Sequence, residues 1–141
     1  MKKLLIMLIA VVFVHTINAQ SINLDSQSSK GYYFNKRIGE WVVMHKDTLQ
    51  QHITLTPEYA DVTFKNKVDH IVFFDASTEE DTDCIQNIFS GIDQDGEPVK
   101  FINRFYYKDK NKPGRTPDSQ YIIIHWTNRD TKVILKIFDN I

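Results

Sequence analysis

Ala60-Asp61-Val62-Thr63-Phe64-Lys65 decides the fold class. Ala60, Val62 and Phe64 fall on one side of an extended chain, and Asp61, Thr63 and Lys65 on the other. A strand with one face on a core and the other in water reads this way, because successive side chains point to opposite faces. Upstream, His52-Ile53-Thr54-Leu55-Thr56 repeats the pattern with Ile53 and Leu55 inward, and Pro57-Glu58-Tyr59 joins the two runs as a hairpin. Downstream, Asn66-Lys67 is the next turn, leading into 68–74.

Further strands follow over 85–92 and 99–107, with Asp95-Gly96 as the hairpin signal between them. On the second of these, Val99, Phe101 and Phe105 share one face, and Lys100, Arg104 and Tyr106 the other. Residues 121–126 are almost wholly apolar, as expected of a strand covered on both faces. Residues 133–138 alternate again after the turn Asn128-Arg129-Asp130. With 41–46 the count reaches eight candidate strands, and no twelve-residue window keeps a helical period. Short links imply antiparallel neighbours. The expected fold is all-β, an antiparallel barrel or half-barrel of about eight strands, with a two-layer β-sandwich as the alternative. Residues 31–37 fit either a short helix or an extra strand.

The amino terminus reads differently. Lys2 and Lys3 precede an uncharged apolar run, Leu4 to Val14, and Ala19 supplies the small residue that a signal peptidase needs. Eleven apolar residues are too few to span a bilayer. The expectation is a signal peptide over 1–19, a flexible polar lead-in over 20–31, and a single antiparallel β domain over 32–141. The mature protein would have no membrane span and would be exported to the periplasm or outside a bacterial cell.

Cleavage removes two lysines and leaves 15 basic against 18 acidic residues, a formal charge of −3. Such a chain lacks the basic field that nucleic acid requires. Cys84 is the single cysteine, so the domain holds together without an internal disulfide.

Gly39-Glu40-Trp41 opens the first strand after the polar lead-in. A glycine, one residue and a tryptophan at that place in an eight-stranded exported chain resembles the lipocalin-like proteins. The resemblance implies that Trp41 plugs one end of a barrel and that the open end receives a small apolar ligand.

Motifs for chemistry are few. Cys84 is the one potential nucleophilic thiol, but no local signature sets a base beside it. His45, His52, His70 and His125 lie in different expected strands without metal-binding spacing, so no metal and no cofactor is expected. Asp93-Gln94-Asp95-Gly96-Glu97 has the composition of a calcium loop, but Gly91 and Ile102 stand where ligands would be needed, and a β-turn accounts for it. The acidic run 75–83 reads as a solvated loop.

Two sets remain as binding candidates. Trp41, Phe101, Phe105, Tyr121 and Trp126 fit a packed core first, and otherwise the lining of a ligand cavity. Lys108, Lys110, Lys112 and Arg115 lie in the longest loop and fit an anionic ligand or partner. The reading is a non-enzymatic binding domain holding a small apolar ligand in a barrel interior. The alternative is an interaction module that presents a sheet face or loop rim to another exported protein.

Overall fold

The computed structural model describes residues 21–81, 83–107 and 117–140. They form ten strands: β1 (Ile22–Asp25), β2 (Ser28–Asn35), β3 (Glu40–Asp47), β4 (His52–Leu55), β5 (Tyr59–Phe64), β6 (Lys67–Glu80), β7 (Cys84–Ile92), β8 (Pro98–Tyr106), β9 (Ser119–Trp126) and β10 (Thr131–Asp139). All pairings are antiparallel, in the order β1-β4-β5-β6-β7-β8-β9-β10-β2-β3. The sheet curls into a half-barrel, as the alternation of side chains requires. Among the described residues no helix is long and apolar enough to cross a membrane.

The chain order explains the curl. β1 and β2 are separated only by Ser26 and Gln27, yet β1 pairs with β4 and β2 pairs with β10. Ser26 donates its backbone N–H to the Gln51 carbonyl at 2.9 Å, and the neighbouring Gln27 donates to the Lys136 carbonyl at 2.7 Å. Consecutive amides of an extended chain point to opposite edges, so this corner ties the β4 side of the sheet to the β10 side. Ser26 Oγ also accepts the Gln51 N–H at 2.9 Å, and Ser26 is 1% exposed. The eight expected strands correspond to β3–β10, and β1 and β2 are the two that the alternation did not reveal.

Inward side chains fill the half-barrel. Ile53, Leu55, Ala60, Val62, Ile71, Phe101, Ile122, Ile124 and Leu135 are buried together. Phe73 and Phe89 stack at 4.5 Å between ring centroids, and both lie against Phe101, at 5.7 and 6.3 Å. The interior also holds a polar pair: buried Gln120 donates Nε2–H to the Oδ1 of buried Asn103 at 2.8 Å.

Two glycines have specific duties. Gly39 takes φ +69° in the β2–β3 turn, where its N–H donates to the Asn35 carbonyl at 2.8 Å. Gly91 faces a bulge in β6 between Phe73 and Asp75, and a Cβ there would overlap the Val72 carbonyl. The bulge turns Phe73 into the core and leaves Phe74 72% exposed.

Two expectations are corrected, and the open choice over 31–37 is decided for the strand. The lead-in 20–31, read as flexible, forms β1 and the start of β2 over its described residues, because Ser29 and Gly31 are small enough to bury while Lys30 between them faces out. Residues 31–37 extend β2 and its turn, without a helix. The acidic run is no loop for most of its length: Asp75 to Glu80 continue β6, paired with 85–90 of β7. Their acids sit on an exposed strand, where alternation with Ala76 and Thr78 satisfies the pleat without an apolar signal. The expected signal peptide 1–19 lies outside the described residues.

Truncation of Phe101 to alanine should lower the free energy of unfolding by about 3–5 kcal/mol, the cost of a large aromatic cavity. Phe74→Ala should stay within about 0.5 kcal/mol. Urea titration of the two variants beside wild type measures both.

Candidate functional site

Three turns, 65–66, 93–97 and 127–130, gather at one end of the half-barrel. A cavity of about 470 Å³ opens there. Its inner wall is Ser29, Val62, Ile124, Trp126 and Val133, contributed by β2, β5, β9 and β10. Polar side chains, among them His45, Gln51, Asp69, Gln94 and Arg129, form the rim. Apolar depth with a polar mouth is the ordinary build of a small-ligand site at the end of a β-barrel.

Trp126 is held rigidly. Its indole N–H donates to Asp93 Oδ2 at 3.1 Å, and the Arg129 guanidinium lies 5.1 Å from its ring centroid. Asp93 is buried and fully engaged: Oδ1 accepts the backbone N–H groups of Asp95 and Glu97, both at 2.9 Å. Burial alone would raise its carboxyl pKa. The bonds from Glu97, Trp126 and Asp95, with Arg129 nearby, outweigh burial and set it below the ordinary carboxylate value. Asp93 thus closes the β7–β8 turn and fixes the tryptophan with one carboxylate. This agrees with the turn reading of 93–97. Ser29 is the opposite case. It is 2% exposed, lines the cavity, and its Oγ has no hydrogen-bond partner among the described residues.

The five aromatic residues grouped from sequence divide by face. Phe101 and Trp126 are buried inside, and Phe105 follows them on the inner side of β8. Tyr121 pairs with Arg104 and Lys136 on the outer face. Trp41 lies on β3, half-buried, where it meets Phe34 and His125, each at 5.4 Å between centroids, and holds the Lys132 ammonium 4.1 Å above its ring. Lys108, Lys110, Lys112 and Arg115 lie outside the described residues.

Groups capable of chemistry are dispersed. His52 pairs with Asp25 at 2.7 Å and His70 pairs with Asp61, both on the sheet surface. His125 sits against Trp41. Burial lowers its pKa, and Lys132 lowers it further. Among the described residues no three of His, Cys, Asp or Glu converge as a metal site. The Cys84 thiol is held protonated: burial raises its pKa and Asp83, Asp81 and Glu79 add to this, against a single lowering influence from Arg104. Comparison of the chain with family models, with curated proteins and with solved structures yields no match.

The Asp93 carboxylate gives a pH signature. Its folded pKa is depressed, so its contribution to stability is present above the unfolded value of about 3.9 and is lost as pH falls through the folded value. Asp93→Asn should destabilise the protein at pH 7 by about 1–3 kcal/mol, the cost of impaired buried hydrogen bonds. The gap to wild type should narrow as pH falls below 4, read from urea midpoints across the acid range.

Proposed function

We propose that this protein is an exported, non-enzymatic binding domain that holds a small, mainly apolar ligand in the mouth of its half-barrel. The reading rests on one observation above the others. The Ser29 hydroxyl lines an otherwise apolar wall, buried and without a partner among the described residues. A buried hydroxyl left unpaired costs about 1–3 kcal/mol, and a ligand's polar group would recover it.

Other features fit. The Phe73–Phe89–Phe101 cluster fills the interior below the mouth, so the ligand's place is the open end alone. The rigidly held Trp126 offers a flat apolar wall, and a cavity of this size suits a molecule of modest dimensions. A ligand at the open end is what the resemblance to lipocalin-like proteins implies, although the tryptophan lining the mouth is Trp126 and Trp41 does not line it. Export to the periplasm or beyond belongs to the same proposal and rests on the pattern in residues 1–19.

A neutral fluorescent probe, N-phenyl-1-naphthylamine, tests the reading in a Trp41→Phe background, which leaves Trp126 as the sole tryptophan. Saturable quenching of Trp126 is expected, and Val133→Trp, which fills the mouth, should reduce probe affinity at least about tenfold through steric exclusion. Equal binding by the filled variant would refute a mouth site.

A further inference from the structure

The outer face of the sheet carries a second and separate feature. Register places Ile102, Ile123 and Ile134 side by side across β8, β9 and β10, with Lys30 of β2 next in the row. The adjacent row is Arg104, Tyr121 and Lys136. Of these residues all but Ile102 line a trough of about 810 Å³ on the opposite side of the sheet from the mouth. Ile123 and Ile134 form its floor, and Tyr32, Tyr106 and Tyr121 its aromatic walls.

Three cations, Lys30, Arg104 and Lys136, converge on this trough in a chain whose formal net charge is −1. Among the described residues none of the three is in an ion pair. Arg104 is nonetheless fixed in place: Nε donates to Gln86 Oε1 at 2.7 Å and Nη1 to the Tyr106 hydroxyl at 3.2 Å. Tyr106 and Tyr121 meet edge to face, with centroids 6.0 Å apart. The Tyr121 hydroxyl donates to Asp139 Oδ2 at 2.7 Å, and its pKa is pushed up to about 12, first by burial and then by that carboxylate. Asp83 and Asp139 stand at the end of the trough nearest the β8–β9 connection, which gives the site a polarity along its length.

From this geometry we infer that the trough docks an acidic segment of another protein, with carboxylates on Lys30, Arg104 and Lys136 and an aliphatic side chain on the isoleucine floor. Charge complementarity selects an anion, because three cations line the trough against two carboxylates, which stand at one end of it. The branched aliphatic floor selects a protein side chain over a sugar, which would leave those methyl groups against hydroxyls. Tyrosine walls supply large rigid contact area at small entropic cost. The site is independent of the mouth, so the two proposals stand or fall separately.

The test is an NMR titration of the ¹⁵N-labelled protein with three probes. They are an eight-residue peptide of glutamates around a central leucine, the same peptide with lysines for glutamates, and a galacturonate oligomer. The acidic peptide should give saturable shifts at the Ile123 and Ile134 amides that weaken with added salt. Lys136→Glu and Lys30→Glu should each weaken it by about tenfold, while Lys65→Glu, remote from the trough, leaves it unchanged. Equal binding of the basic peptide, preferential binding of the galacturonate oligomer, or indifference to both charge reversals would overturn the proposal. A folded ¹⁵N spectrum for each variant separates loss of the site from loss of the fold.

Discussion

The structure depends on the corner at Ser26 and Gln27. Two successive amides bond to the Gln51 and Lys136 carbonyls, which belong to opposite flanks of the sheet. An open antiparallel sheet of this length would expose two long edges and leave its inward side chains facing nothing. The corner brings β4 and β10 to the same continuous strand, and the inner face then encloses a core. Ser26 suits the position because its hydroxyl takes up the Gln51 N–H where no water reaches.

Once that corner exists, alternation, interrupted by bulges in β3, β6 and β10, divides the side chains between an inner and an outer face. The inner face is apolar, with its few polar groups paired: Asn103 with Gln120, and Asp93 with Trp126 and two backbone amides. The Ser29 hydroxyl departs from that economy at the mouth of the half-barrel. The outer face of β2, β8, β9 and β10 gathers cations and tyrosines around an isoleucine row, and β6 carries acids along its exposed stretch. The two faces of one sheet thus offer different chemistry, an apolar mouth and a basic trough.

Strands from Tyr59 onward were legible in the sequence because period-two alternation is strong there. The division of β8 into an inner Val99–Phe101–Phe105 face and an outer Lys100–Arg104–Tyr106 face held in the structure. β1 and β2 were hidden, since burial there falls on serine and glycine, which carry no hydrophobic signal. β6 looked short because its second half has no apolar face to alternate. The aromatic residues were gathered into one set without knowledge of register. Tyr121 is odd-numbered like Phe101 and Phe105, yet cross-strand pairing puts it opposite Arg104 and so on the outer face. Nothing in the sequence marks Ser29, whose significance is only its unpaired burial. The trough is equally invisible locally, because Lys30, Arg104 and Lys136 are far apart along the chain and become neighbours only through register.

Native-state hydrogen exchange of the Ser26 and Gln27 amides tests the corner most directly. If these two bonds close the half-barrel, both amides open only with the core, and their protection should match that of Phe101 and Ile122 to within about a factor of ten. Exchange at the rate of a fraying strand end, while Phe101 and Ile122 stay protected, would contradict the account.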